Sequence, residues 1–331
     1  MLSGPRRSFL LFFSLAILGI TPQASPQSSD PVHIKPRTAE QKRPLSTEAA
    51  PSQLRPMHVD VNLVLVPVTV VDAANHPVTS LRKQDFTLFE GTEQQPLRYF
   101  STEDAPISVG ILLDLSFSMK DKIETARQAL REFFVNCNPD DDYFVIGFSN
   151  SPVLLSKSTQ STATIEEQVA LAEPHGETAL LDAIYMGITK LRTARYKRHA
   201  LVIISDGGDN HSRYTAAEIR RMVQEEDTEI YALGIFSRIF KTYEEWTGER
   251  LLTGITELTG GRTVTVNNVE ELPQQAANIS RELRNQYILG YAPNRADRSS
   301  KWHKIRVRVA QPPEGASLHV YSKQGYMYEE D

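Results

Sequence analysis

The sequence predicts a doubly wound α/β domain flanked on both sides by short β segments, and three observations carry that expectation. Between residues 107 and 284, near-continuous apolar runs alternate with stretches of helical period, the pattern of strands buried on both faces joined by crossover helices. Before Pro106 and after Asn285 the texture is that of short period-2 strands separated by turns, with no helical period ahead of residue 119. The composition, 40% hydrophobic and 23% charged over 331 residues, is that of a folded chain with length for roughly two domains.

At the amino end, Arg6 and Arg7 precede an apolar run at residues 9–20 and a short polar stretch ending at Ala24. This is the order of an export signal over residues 1–24, too short as a helix to span a bilayer. The Arg6-Arg7-Ser8-Phe9-Leu10 sequence also fits a twin-arginine signal, so the general secretory and twin-arginine routes both stay open. Residues 25–55, rich in Pro, Ser and Gln, lack the large apolar groups needed to offset ordering entropy and read as a disordered linker. From Val59 the chain alternates: Val59, Val61, Leu63 and Leu65 are separated by Asp60, Asn62 and Val64. Residues 85–90 and 97–100 are further strands, which gives a first β-sandwich half over residues 56–105.

Residues 107–113 (ISVGILL) form the first buried strand and residues 119–135 the first helix, with Ile123, Ala126, Leu130, Phe133 and Phe134 on one stripe. Strands follow at 143–148, 153–155, 200–205, 230–235 and 263–266; helices follow at 165–171, 179–191, 216–223, 251–258 and 269–283. After Asn285, strands are expected at 286–290, 304–309, 318–321 and 326–328, a second sandwich half over residues 285–331. Trp302 and Tyr287, Tyr291, Tyr321, Tyr326 and Tyr328 gather there, where a packed β core explains them better than an aromatic ligand platform. In a doubly wound domain the first strand begins and the last helix ends at the same sheet edge. Pro106 and Leu283 are therefore expected to lie close, so that an α/β domain over residues 106–284 is inserted in one sandwich.

Several function classes are excluded. A formal net charge of −5 does not suit a nucleic-acid backbone. A single cysteine, Cys137, precludes an intrachain disulfide and a CxxC metal site, and HExxH, GxGxxG and P-loop motifs are absent from the sequence. Gly147-Phe148-Ser149-Asn150-Ser151 only half resembles a nucleophile elbow. The triplet Asp140–Asp142 reads as a solvated turn without EF-hand spacing, His175 as a loop histidine, and Arg192, Arg195, Lys197 and Arg198 as a solvated helix end.

The sharpest feature is Asp114-Leu115-Ser116-Phe117-Ser118, between the first buried strand and the first helix. In an extended turn its i, i+2, i+4 spacing points three oxygens one way. A second polar turn, Gly176-Glu177-Thr178, opens a helix, and a third, Ser205-Asp206-Gly207-Gly208-Asp209, follows an apolar strand. Such turns fall at the carboxyl edge of a doubly wound sheet, where ligands bind. Asp209 either supports the site by hydrogen bonding or holds the Gly207-Gly208 turn. A helix-capping role for Asp114 and the serines accounts for one motif but not for all three.

Taken in this order, these motifs resemble the von Willebrand factor type A family over residues 106–283, with Ser205 where the family often has Thr and with Glu177 before Thr178. The resemblance implies a Rossmann-like sheet of order 3-2-1-4-5-6. It also implies a metal-ion-dependent adhesion site (MIDAS) of Asp114, Ser116, Ser118, Thr178 and Asp206, holding Mg2+ or Mn2+. Three neutral hydroxyls and two carboxylates leave a hard cation electrophilic, with a position open to an Asp or Glu of a partner protein. The layout further resembles a bacterial secreted family related to von Willebrand factor A, through Asp85-Phe86 and Tyr287-Ile288-Leu289-Gly290-Tyr291. The expected function is metal-dependent protein binding, as an adhesion or scaffold protein in the periplasm, at the cell surface or secreted. No transmembrane anchor is expected after signal cleavage, and no catalysis. A metal-assisted hydrolase or phosphotransferase is the rival class, and a structural surface-assembly subunit with an inactive metal site is a third.

Overall fold

The computed structural model describes residues 63–102, 104–236, 242–293, 302–310 and 317–327. The expected signal and linker, the strand residues Val59 and Val61, and Tyr328 lie outside the described residues.

The central layer is a six-stranded sheet built from β5 (Ser108–Asp114), β6 (Asp142–Phe148), β7 (Pro152–Thr159), β8 (His199–Ser205), β9 (Thr228–Ile235) and β10 (Thr263–Val266). Its spatial order is β10-β9-β8-β5-β6-β7, which reproduces the expected 3-2-1-4-5-6 arrangement. The sheet is mixed rather than wholly parallel: β7 pairs antiparallel with β6. The three-residue connection from β6 to β7 requires this, since a parallel neighbour needs a crossover of a dozen residues or more. β7 is also longer than the expected 153–155 segment and lies at the sheet edge.

Helices α1 (Ile123–Val135), α2 (Thr162–Ala170), α3 (Leu180–Leu191), α4 (Ala216–Glu225), α5 (Tyr243–Thr259) and α6 (Leu272–Arg284) cover both faces. Strand β5 is buried at every position, so its alternating side chains feed two cores. Val109, Ile111 and Leu113 pack with α1, α2 and α6. Leu112 packs with α3, α4 and α5. Gly110 faces the latter side, where a Cβ would sit 2.5 Å from Phe144 and 2.7 Å from Leu201.

The flanking segments supply β1 (Val64–Val71), β2 (Phe86–Glu90), β3 (Glu93–Gln95) and β4 (Tyr99–Ser101), then β11 (Tyr287–Tyr291), β12 (Trp302–Val309), β13 (His319–Ser322) and β14 (Gly325–Met327). They form two antiparallel sheets, β13-β1-β11-β4 and β14-β12-β2-β3, each drawing strands from both segments. The shared core holds Val66, Val68, Val70, Phe86, Leu88, Tyr287, Leu289, Tyr291, Ile305 and Val307. Phe86 and Tyr287, from opposite sheets, meet at 4.8 Å between ring centroids. Of the described tyrosines, Tyr287 and Tyr291 are core and Tyr326 packs against it, whereas Tyr321 is half-buried and faces Arg262. The alternation read from Val59 places the wrong parity inside, however: Leu65 is 46% exposed while Val66, Val68 and Val70 are fully buried. Val64, in the polar register of the pattern, opens a run in which nearly every residue is apolar, so pairing rather than polarity selects the face.

Arginines and carboxylates close the seam between the layers. Arg198 donates to the carbonyls of Ala105 and Leu283, at 2.8 and 2.9 Å, and to Gln286, which brings the ends of the α/β segment together. It is therefore not part of a solvated helix end, and α3 has already stopped at Leu191. Asp141 is likewise no solvated turn: it is buried and accepts from the Ile107 and Asn138 amides and the Tyr143 hydroxyl. Arg284 bridges it to Asp104. Nearby, Arg262 pairs with the fully buried Glu282 and reaches Asn75 of the β1–β2 connection.

Removing one partner of such a pair strands the other charge away from water, at a cost of about 3–5 kcal/mol. Glu282→Ala is accordingly expected to lower the urea midpoint strongly with little change in the denaturant slope. A midpoint matching the parent would show that the Arg262–Glu282 pair carries no stability.

Candidate metal centre

Three loops converge at the carboxyl edge of the six-stranded sheet. Strand β5 delivers Asp114 at its last residue, β8 delivers Asp206 one residue past its end, and the turn before α3 delivers Thr178. Because β5 lies between β6 and β8, the first and third loops emerge side by side where the strand order reverses.

Backbone hydrogen bonds lock the loops to one another. Leu115 donates to Phe148 at 2.7 Å, His175 to Leu115 at 2.7 Å, and Phe117 to Gly176 at 3.0 Å. Asn210 and His211 both donate to the Thr178 carbonyl, at 3.0 and 3.2 Å. Gly176 has φ +72°, and a Cβ there would fall 2.5 Å from the Asn150 side chain, so the turn that presents Thr178 requires glycine. Helix α5 presses on the third loop in the same way: a Cβ on Gly248 would meet the Gly208 nitrogen at 2.7 Å. That contact brings Glu244 to the wall of the cleft.

The cleft, about 640 Å3, is lined by Ser116, Ser118, Thr178, Asp206 and Lys122, with Glu177 and Glu244 on its walls. Asp114 lies beneath it, completely buried. Its Oδ1 accepts the Ser116 amide at 2.8 Å and its Oδ2 the Ser205 hydroxyl at 2.6 Å. Ser205, the departure from the family's usual Thr, thus keeps the hydroxyl that carboxylate needs. The Ser116 and Ser118 hydroxyls are 3.0 Å apart, and Ser118 donates to Asp206 Oδ1 at 2.8 Å. All five sequence-predicted residues therefore gather at one place. The sequence reasoning missed Lys122, whose ammonium pairs with Asp206 Oδ2. Its signal was present: a lysine in the first turn after the serine motif, at the start of α1.

The remaining candidates take supporting roles. Asp209 accepts from the Leu181 amide at 3.1 Å and from the Ser212 hydroxyl, so it caps α3 and holds the loop behind Thr178. Asn210 Oδ1 accepts the Thr178 amide at 2.8 Å. His175 lies beside the cleft rather than in it, with Nε2 3.1 Å from the Ser149 hydroxyl and Nδ1 2.9 Å from the Glu173 carbonyl. Cys137 is packed, its thiol on the Phe133 carbonyl and pushed by burial up to about 11.

The donor set fits a hard divalent cation. Five oxygens of carboxylate and hydroxyl type, with no sulfur or imidazole, match Mg2+ or Mn2+. Among the described residues no group of three or more His, Cys, Asp or Glu is placed to hold a metal ion; this set has two carboxylates and three hydroxyls. Burial pushes the Asp114 carboxyl up to about 6, against the hydrogen bonds of Ser116 and Ser205 and with a further push from Asp206. A cation placed there would relieve that penalty.

Because the folded value lies above the ordinary 3.8, the folded protein binds the extra proton and loses stability as pH rises from about 4 to about 6, by up to about 3 kcal/mol. In chelator, Asp114→Asn is expected to melt higher than the parent above pH 6 and equally at pH 4. Equal melting at pH 7.5 would mean that the buried charge imposes no penalty.

The model of the von Willebrand factor type A domain family matches residues 109–208, a span containing Asp114, Ser116, Ser118, Thr178 and Asp206. No curated protein is similar to the chain at a significant level. Among solved structures, a von Willebrand factor type A protein from Catenulispora acidiphila aligns at 14% identity and TM-score 0.47, over 80% of this chain and 74% of that one. The PilB minor pilin from Streptococcus sanguinis aligns at 15% identity and TM-score 0.45, over 59% of this chain, which spans only 63% of the pilin. BatB from Bacteroides thetaiotaomicron aligns at 18% identity and TM-score 0.43, over 53% of this chain and 98% of that one. The family match over residues 109–208 and the order of the six-stranded sheet together give this part of the chain a von Willebrand factor type A-like fold.

Proposed function

We propose that this is an exported protein whose von Willebrand factor type A domain binds a partner protein through a divalent cation, as an adhesion or scaffold component rather than an enzyme. The observation that carries the reading is the convergence of Asp114, Ser116, Ser118, Thr178 and Asp206, from three separate loops, on one open cleft. Mg2+ or Mn2+ bound by these residues would supply a Lewis-acidic position for an Asp or Glu carboxylate of the partner. The chain's own part is positional. Asp114 is held by two hydrogen bonds beneath the cleft, and the Ser116 hydroxyl lies against that of Ser118, which donates to Asp206. Thr178 is fixed from behind by Asn210. Such preorganisation reduces the ordering cost of binding.

Export rests on the amino-terminal signal, which leads to the periplasm, the cell surface or the medium; among the described residues no helix is long and apolar enough to cross a membrane. The β-sandwich serves as the mount for the metal domain.

Calorimetric titration of Mg2+ and Mn2+ into the parent and Asp114→Ala tests the site: saturable binding is expected in the parent and at least about a hundredfold weakening in the variant, about 2.7 kcal/mol. Equal affinity in both would overturn the ligand assignment. Pull-down from intact cells with and without chelator tests the partner, which is expected to be lost on chelation; steady hydrolysis of generic esters would favour an enzyme instead.

A further inference from the structure

We infer that Lys122 is a built-in competitor for the cation site, an ammonium that neutralises Asp206 when no divalent ion is bound and that must leave for one to bind. The inference rests on the metal-site reading above. Two independent features support it.

The first is occupancy. Asp206 is almost wholly buried, and both of its oxygens are engaged: Oδ1 by the Ser118 hydroxyl and Oδ2 by the Lys122 ammonium. The serine donates a hydrogen bond to the carboxylate with which it would share a cation. The arrangement is thus closed on itself, with Lys122 supplying the positive charge. A divalent ion taking Asp206 directly has to displace that ammonium, whereas the Ser118 oxygen keeps a lone pair free for the ion while its O–H stays on the carboxylate.

The second is the position of Lys122 in the chain. It is the N-cap residue of α1, immediately before Ile123, and its side chain makes no capping hydrogen bond. Lysine at a helix start offers no acceptor to the free amides and sets a positive charge against the positive end of the helix dipole. Asp, Ser or Thr would stabilise the helix there. The local rule is broken where the side chain reaches across 84 residues of sequence to loops already gathered for a cation, and sites where local preference is overridden are characteristically functional. The Lys122 side chain is 31% exposed, so it has an outward path into the cleft when displaced.

The consequence is a threshold. The metal-free domain stays neutralised at Asp206, and the ion is held less tightly than its five oxygens alone would allow. Each occupied domain also releases an ammonium to the rim, beside the position where a partner carboxylate would arrive.

The test is calorimetric titration of Mg2+ and Mn2+ into chelator-stripped full chain, comparing the parent with Lys122→Met and Lys122→Arg. Lys122→Met is expected to bind at least about tenfold more tightly, and the charge-retaining Lys122→Arg within about threefold of the parent. In chelator, Lys122→Met is expected to melt lower than the parent and to gain more on adding Mn2+; near-UV circular dichroism and a second variant, Lys122→Gln, guard against a folding defect. Binding in both proteins with no gain in Lys122→Met or Lys122→Gln overturns the competition and leaves the metal site standing. Binding in neither overturns both readings.

Discussion

The structure turns on the burial of one carboxylate. Asp114 ends the central strand β5, with β6 on one side and β8 on the other, and has no exposed surface. A charge in that position is tolerable only where hydrogen bonds and a nearby cation offset its desolvation. The Ser116 amide and the Ser205 hydroxyl provide the first; they also fix the direction in which the first loop leaves the sheet and tie it to the strand that carries Asp206. The polar geometry of the cleft follows from satisfying this single group.

The loops around it are held as one body rather than three. Thr178 is set by backbone bonds from the third loop and by Asn210, while the turn before it is joined to the first loop through Gly176 and His175. Glycines at 208 and 248 let α5 close over the back of the third loop. Such mutual support fixes the Ser116, Ser118, Thr178 and Asp206 oxygens relative to one another, as the proposed cation site would require.

Charge also governs the seam beneath. Arg198 gathers the two ends of the α/β segment, Arg284 ties Asp104 to Asp141, and Arg262 links Glu282 to the β1–β2 connection. Glu229, buried and with its carboxyl pushed up by desolvation, is met by Gln286 and Tyr231. Gln286 lies between the end of α6 and the start of β11, so the route from the last helix into the sandwich passes through a polar network. None of these roles was legible in the sequence: Arg198 and Asp141 stand in hydrophilic runs that resemble solvated surface, and only folding brings their partners within reach.

Sequence alone determined the alternation of strands and helices, the sheet order through its family resemblance, and all five residues gathered at the cleft. Those are local or ordered features, written as periodicity and as short spacings between oxygens. It also placed the flanking strands in one shared β core. Tertiary structure decided what depends on pairing: the antiparallel turn of β7, the inward face of β1, and the burial of Asp141 and Arg198. It decided above all the meeting of Lys122 with Asp206. A one-residue change of register exchanges the faces of a strand, and a lysine at a helix start does not by itself show which carboxylate it meets 84 residues away. The doubly wound fold with its β flanks could therefore be read from pattern, whereas the electrostatic state of its site could not.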